Sequence, residues 1–170
     1  MPSSKTLSFA ALACATLFGV SYAQAFDANG VGLGGREAEV RKTFPSARCK
    51  PLEWRSDAAD RRCDDAQIAL GGIPARITFY LKRDAVQGFD VRFDTRDLER
   101  MAAFLKNHFG APQTEARETI QRKGDAPREV YRARWEKGSD HAVLAAQLER
   151  KRSSLLVVRG EFDEEIYRVR

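Results

Sequence analysis

The chain has 170 residues, a length that suits one domain or two small repeats. Charged residues make up 31% of it and the formal net charge is +5 at pH 7, with both signs interleaved along most of the chain. The charge is therefore moderate, and no long block of a single sign indicates a charged tail.

The first 25 residues match a secretory signal peptide. Lys5 precedes an apolar run from Leu7 to Val20, and Ala23-Gln24-Ala25 forms a small-x-small cleavage site. The run is shorter than the roughly 18 apolar residues of a membrane-spanning helix. We predict cleavage after Ala25, a periplasmic or secreted location and no stable membrane span. The disfavoured alternative is a buried N-terminal helix.

The three cysteines fall into two groups. Ala11-Leu12-Ala13 before Cys14 is a poor lipoprotein signal, because the apolar run continues beyond that cysteine, so we expect no lipid on Cys14. Cleavage leaves Cys49 and Cys63 with thirteen residues between them. An even number of cysteines in an exported chain indicates a disulfide, and the absence of nearby histidines disfavours a zinc site.

The first half of the mature chain is predicted to form a short helix and four strands. The segment REAEVRKTF (36–44) has Glu37 and Glu39 in its first turn, where carboxylates favour the helix dipole, and Pro45 ends it. Alternating apolar residues predict half-buried strands. The predicted strands are residues 48–54, 64–70, 75–82 and 86–93.

The second half repeats this order. An apolar stripe of Leu98, Met101, Leu105 and Phe109 predicts a helix over residues 94–110, capped by Asp94 or Thr95 and ended by Gly110. The predicted strands are 114–121, 129–136, 141–149 and 153–160, and the final EEIYRVR is expected to add an edge strand.

The glycine-rich stretch GVGLGG (30–35) has the spacing of a dinucleotide-binding loop. Such a loop needs a buried strand before it and a helix after it, within a βαβ unit. Only four residues precede Gly30 after cleavage, and no alternating βαβ plan follows. We expect these glycines to form a tight turn into the first helix, with no bound nucleotide.

Catalytic patterns are not apparent in the mature chain. Its two histidines, His108 and His141, belong to no G-x-S-x-G element or H-E-x-x-H pair. Acidic residues adjacent on a strand point to opposite faces and do not form an acid–base pair. We predict no enzymatic activity, no cofactor and no metal.

The two halves align at an offset of 65 residues, which pairs Leu33 with Leu98, Val40 with Leu105 and Phe44 with Phe109. We predict an α+β fold of tandem αβ4 repeats over residues 26–170, the first about 30–93 and the second about 94–170. An antiparallel sheet would carry both helices packed on one face.

Two resemblances follow from these segments. The exported chain, the tandem αβ4 order and the cysteine pair resemble the beta-lactamase inhibitor protein-like fold. LGGREAEVRKTFPSA (33–47) and TRDLERMAAFLKNHFGAPQ (95–113) are similar to the helix element of small outer-membrane assembly lipoproteins of the SmpA/OmlA type. The fold resemblance implies a concave antiparallel sheet that can bind a protein, and no contact motif assigns inhibitor residues to this chain.

The expected polar face of the sheet supplies the candidate binding residues. If Ile77, Phe79, Phe89 and Val91 face the helices, Arg76, Tyr80 and Arg92 face away, as do Arg132 and Arg134 in the second half. Tyrosine and arginine are enriched in protein-binding hot spots, although a solvated face of ion pairs has the same pattern. Trp54, in the loop between the cysteines, is either a recognition anchor or a lid over the core.

We therefore predict an exported, non-enzymatic protein that binds another protein of a bacterial-type envelope, as an inhibitor or an assembly factor would. The sheet face or the loop between Cys49 and Cys63 would form the binding site. Nucleic acid is not an expected partner of an exported chain, and the oligomeric state is left open. The alternatives are a carrier of a small or anionic ligand in the periplasm and, third, a hydrolase with a dispersed site.

Overall fold

The computed structural model describes residues 26–121, 124 and 126–166. The predicted signal peptide, with Lys5, Cys14 and Ala25, lies outside the described residues. The helices are α1 (Glu37–Thr43), α2 (Leu98–Phe109) and α3 (Phe162–Glu165), and a 3₁₀ turn (Thr95–Asp97) precedes α2. The strands are β1 (Asp27–Ala28), β2 (Val31–Gly32), β3 (Arg48–Pro51), β4 (Arg61–Leu70), β5 (Ile73–Lys82), β6 (Ala85–Asp94), β7 (Thr114–Ile120), β8 (Arg128–Lys137), β9 (Asp140–Gln147) and β10 (Arg152–Arg159).

Strands β3 to β10 form one antiparallel sheet of eight strands in the order β3-β4-β5-β6-β10-β9-β8-β7. Neighbours along the chain pair with each other, except at the centre, where β6 pairs with β10. Phe89 lies opposite Val157 and Val91 lies opposite Leu155. The small β1–β2 hairpin is separate. The α+β class and the antiparallel sheet are confirmed.

One face of the sheet packs against the two longer helices. The predicted stripe of α2, Leu98, Met101, Leu105 and Phe109, is buried, as is Val40 of α1. These helical residues share one apolar cluster with alternate residues of the strands. The strand residues include Ile77, Phe79, Phe89, Val91, Tyr131, Ala133, Trp135, Leu144 and Leu155. The predicted inward faces of β5, β6 and β8 are therefore confirmed.

The ends of α2 follow the predicted signals. The Asp94 carboxylate accepts a hydrogen bond from the Arg96 backbone N–H and caps the 3₁₀ turn. Gly110 ends the helix with φ of 90°, a conformation that favours glycine, and its carbonyl accepts a hydrogen bond from Trp135 Nε1 at 2.8 Å. The end of α2 is thereby attached to β8.

The glycine stretch forms turns next to α1. Gly30 and Gly34 have φ of 89° and 87°, and the Gly34 N–H donates to the Val86 carbonyl at 2.8 Å. Only a two-residue strand of a small antiparallel hairpin precedes Gly30 in the described chain. This is the expected turn geometry rather than the βαβ unit of a dinucleotide site.

The expected final edge strand (164–170) is wrong for its first residues, because residues 162–165 form α3. Residues 167–170 lie outside the described part of the chain. Phe162 and Ile166, four residues apart, pack on the sheet face opposite α1 and α2, against Tyr80 and Val158. A Cβ at Gly88 would lie 3.0 Å from the Phe162 ring, so the missing side chain leaves room for it. A helical turn buries both apolar residues on one side.

The predicted disulfide is confirmed. Cys49 of β3 and Cys63 of β4 lie directly opposite each other and are bonded. They bracket a loop, residues 52–60, whose ends are joined by a hydrogen bond from Leu52 N–H to the Asp60 carbonyl at 2.8 Å. The bridge therefore fixes both ends of this loop.

Replacing both Cys49 and Cys63 by serine should lower the free energy of unfolding. The two residues are 14 apart in sequence, and closing a loop of about 15 residues stabilises a protein by roughly 3 kcal/mol. Urea unfolding of the double variant and of the oxidised wild type measures the difference. Equal stability of the two proteins would contradict this prediction.

Candidate binding face on the open side of the sheet

The sheet face opposite α1 and α2, called the outer face here, carries the predicted arginines in register. Strand pairing places Arg76, Arg92, Ser154, Ala145 and Arg132 side by side in one row across five strands. The centre of this row has small side chains, with arginines on either side. The four predicted arginines share this face, since Arg134 lies two residues from Arg132 on β8.

A cleft of about 390 Å³ opens on the outer face over β4, β5 and β6. It brings together Trp54, Arg76, Tyr80 and Arg92 of the predicted site. It is also lined by Arg62, Asp64, Asp65, Ala66, Ile77, Thr78 and Asp90. Arg132 and Arg134 lie outside it on β8, three strand spacings from β6, or about 14 Å. We call this space the aromatic cleft.

Trp54, which the sequence left open as a recognition anchor or a lid, packs on an apolar cluster and lines the aromatic cleft. Its Nε1 donates a hydrogen bond to the Ile166 carbonyl at 2.8 Å, and its ring packs on the cluster of Tyr80, Val158 and Phe162. The Arg62 guanidinium lies over the same ring, 6.0 Å from its centre. The half-buried Trp54 thus covers an apolar cluster and forms one wall of the aromatic cleft.

Tyr80 lies on the outer face, as its strand position suggests, but it is buried there instead of exposed. Only 9% of it is exposed, and its ring centre lies 5.5 Å from that of Phe162. It therefore supports the cleft from within the protein, and it cannot project into a partner without displacing α3. The sequence could not reveal this because α3 was not predicted.

The charges of the aromatic cleft are largely paired with each other. The Thr78 hydroxyl donates to Asp64 at 2.8 Å, and Arg62 Nε lies 3.0 Å from the same carboxylate without a hydrogen-bonding direction. Arg92 Nε donates to Asp90 at 2.7 Å. Burial raises the pKa of Asp90, and the Arg92 guanidinium opposes the rise. The cleft is polar and close to electrically balanced.

The outer face carries a second group of cations that the sequence analysis did not identify. Arg150 and Lys151 lie between β9 and β10 and Arg152 is the first residue of β10; we call these three residues the basic turn. Two open clefts, of about 470 and 550 Å³, connect the basic turn with Arg92, and the first also includes Arg76. The available signal was the ERKR run (149–152) between two strand patterns.

The candidate metal cluster and the two histidines in the described part of the chain lie in packed or paired environments within the protein. Glu37 lies near Cys49 and Cys63, but the sulfurs are bonded to each other and the carboxylate is held by Arg61 and Arg41. His108 contacts Asp27 at 3.0 Å and stacks on Phe104, on the helix side of the sheet. His141 is buried on β9.

No protein-family model, curated protein or solved structure matches the chain. Within the described residues, no helix is long and apolar enough to cross a membrane.

Asp90→Asn should raise the free energy of unfolding at neutral pH. Because burial raises the pKa of Asp90 in the folded protein, the ionised carboxylate opposes folding, and this penalty disappears below about pH 3.9, the pKa of an unfolded aspartate. The gain over wild type should therefore shrink as the pH falls to about 3. Urea unfolding at both pH values measures it.

Glu118→Gln is the matched control, because it removes an exposed carboxylate on β7. It should change the free energy of unfolding little at either pH. A variant Asp90→Asn that is less stable than wild type at neutral pH would show that its ion pair with Arg92 outweighs burial.

Proposed function

We propose that this chain is an exported, non-enzymatic protein that binds another protein of a bacterial-type envelope through the outer face. The observation that carries the proposal is the meeting of Trp54, Arg76, Tyr80 and Arg92 at one cleft. They come from the disulfide loop and two strands, and α1 and α2 pack on the opposite face.

The size and chemistry of the outer face support protein binding. Eight strands span about 34 Å, at roughly 4.8 Å between neighbours. A standard interface needs about 800 Å² from each partner, which a face of this width can supply. Arginine and tryptophan are enriched in binding hot spots, and Arg92 and Arg132 flank the small residues at the centre. These features favour a broad, polar interface.

The proposal includes export of the chain and an internal duplication of its αβ4 unit. The Cys49–Cys63 disulfide is compatible with an oxidising compartment, and the start of the chain matches a signal peptide. A helix followed by four strands occurs twice, and the two sets join through their last strands, β6 and β10. This arrangement supports two αβ4 repeats and the likeness to inhibitor and assembly-factor folds.

A carrier of a small or anionic ligand is the second candidate. The aromatic cleft, at about 390 Å³, has the volume of a small-molecule site. Against it, the cleft is open and its charges are mostly paired internally, whereas ligand pockets are typically enclosed and apolar. Native mass spectrometry of protein purified from its source would detect a retained ligand and favour the carrier.

Intact-mass measurement of the secreted protein should give a chain starting at Phe26, without a lipid and lighter by two hydrogens than the reduced form. The start at Phe26 follows from the predicted cleavage site, and the absence of a lipid follows from the poor lipoprotein signal before Cys14. The loss of two hydrogens follows from the disulfide. A retained N-terminus or a lipid-modified Cys14 would contradict the proposed route of export.

Site-specific photo-cross-linking in the source cells tests the binding face. A photoreactive residue in place of Arg76 or Arg132 should capture a discrete partner protein, because both side chains lie on the outer face. The same residue in place of the exposed Lys42 of α1, on the helix side, is the control and should capture none. Adding Arg92→Ala to the Arg76 probe should weaken capture. Equal capture at all positions, or none at Arg76 and Arg132, would refute the proposed function.

A further inference from the structure

The cations of the outer face differ in how they are neutralised. Arg62 and Arg92 have carboxylate partners within the aromatic cleft, at 3.0 and 2.7 Å. Among the residues that the structure describes, Arg76 and the basic turn, Arg150, Lys151 and Arg152, form no ion pair. These four cations line the two clefts that adjoin Arg92. Uncompensated positive charge is thus concentrated at one end of the outer face.

The basic turn is held by its backbone. The Arg150 N–H donates to the Gln147 carbonyl at 2.9 Å, and the Lys151 carbonyl accepts from the Thr95 N–H at 3.0 Å. The Ser153 and Thr95 hydroxyls are 3.0 Å apart. The backbone that carries the cations is therefore fixed before binding, which reduces the loss of conformational entropy when a ligand binds.

The carboxylate of Asp94, which lies beside the basic turn, forms its ion pair with Arg96 and not with the turn. Asp94 lies opposite Arg152 in the β6–β10 pairing. Its two oxygens instead accept hydrogen bonds from the Arg96 guanidinium at 3.0 and 2.9 Å. Arg96 is the main cause of the lowered pKa of Asp94, and Lys151 adds only the last and smallest contribution. Most of the positive charge of the basic turn therefore remains available for an external anion.

We propose that the partner is recognised through an acidic, extended segment that crosses the outer face, an inference that rests on the proposed function. Its glutamate or aspartate carboxylates pair with Arg76 and the basic turn, while an apolar side chain contacts Trp54. The distance from β4 to β10 is three strand spacings, about 14 Å, which about five extended residues cover. Guanidinium groups bind carboxylates with two parallel hydrogen bonds.

The mixed character of the surface favours a polypeptide over an anionic lipid headgroup or a free phosphate. Asp64 and Asp90 line the aromatic cleft next to the cations, and they repel dense negative charge. The same carboxylates accept hydrogen bonds from the backbone or the amide side chains of a peptide. Trp54 adds an apolar wall that phosphate does not use.

The test measures the affinity of the mature, oxidised protein for a short synthetic peptide rich in glutamate with one tryptophan. Binding should weaken with added salt, and the same peptide with glutamine for glutamate should not bind. Lys151→Gln combined with Arg152→Gln should lower the affinity about tenfold or more, because charge-assisted hydrogen bonds are lost. Arg36→Gln combined with Lys42→Gln removes the same charge on the helix side, from exposed residues, and should change it less than about twofold.

Three results would overturn the inference: equal effects of the two double variants, equal binding of the glutamine peptide, or no binding at all. Vesicles containing phosphatidylglycerol and inorganic phosphate form the other arms. Tighter binding to either, lost with Lys151→Gln and Arg152→Gln, would replace the peptide by a lipid surface or a free anion. Cross-linking from position 76 that persists in that variant would leave the proposed function standing while the acidic-segment inference fails.

Discussion

The antiparallel pairing of β6 with β10 is the constraint on which both faces of the sheet depend. It joins segments more than fifty residues apart and places Phe89 and Val91 opposite Val157 and Leu155 in the helix-side core. Because side chains alternate along a strand, burying these residues forces Arg92 and Ser154 to the other side. A slip of one residue would exchange the two sets, so the register that buries the core also defines the outer face.

The outer face is divided by the chain's own segments. Residues 52–60 and α3 cover one end, where Phe162 lies over Gly88 and Trp54 Nε1 binds the Ile166 carbonyl. The disulfide fixes both ends of the loop, so it contributes to the wall of the aromatic cleft as well as to stability. The other end carries the basic turn, whose cations form no ion pair with any described residue. A single surface thus combines a packed aromatic wall with exposed positive charge.

Local patterns predicted the elements well, because each pattern is set by one buried side. The stripe of α2 and the alternation in β5, β6 and β8 follow from contact with the same core. The order of strands was beyond such reasoning, since alternation does not specify which distant strand becomes a neighbour. Gly88 leaves the space on β6 that the Phe162 ring of α3 occupies. A glycine inside a strand can indicate such a close approach, but the contact with Phe162 depends on tertiary packing. Arg76 and Arg92 were predicted by alternation, whereas the basic turn lies outside any strand pattern.

The two parts of the outer face suit different aspects of recognition. In the aromatic cleft, Arg62 with Asp64 and Arg92 with Asp90 are already paired, so a ligand there must replace or share existing contacts. In the proposed complex such a site would discriminate by geometry, because a poorly placed group would leave a buried charge such as Asp90 without compensation. The basic turn has exposed charge without an ion pair, which acts over about 10 Å at moderate salt and mainly accelerates encounter. In the proposed complex, attraction therefore precedes selection: the turn orients an acidic segment, and the cleft then accepts or rejects it.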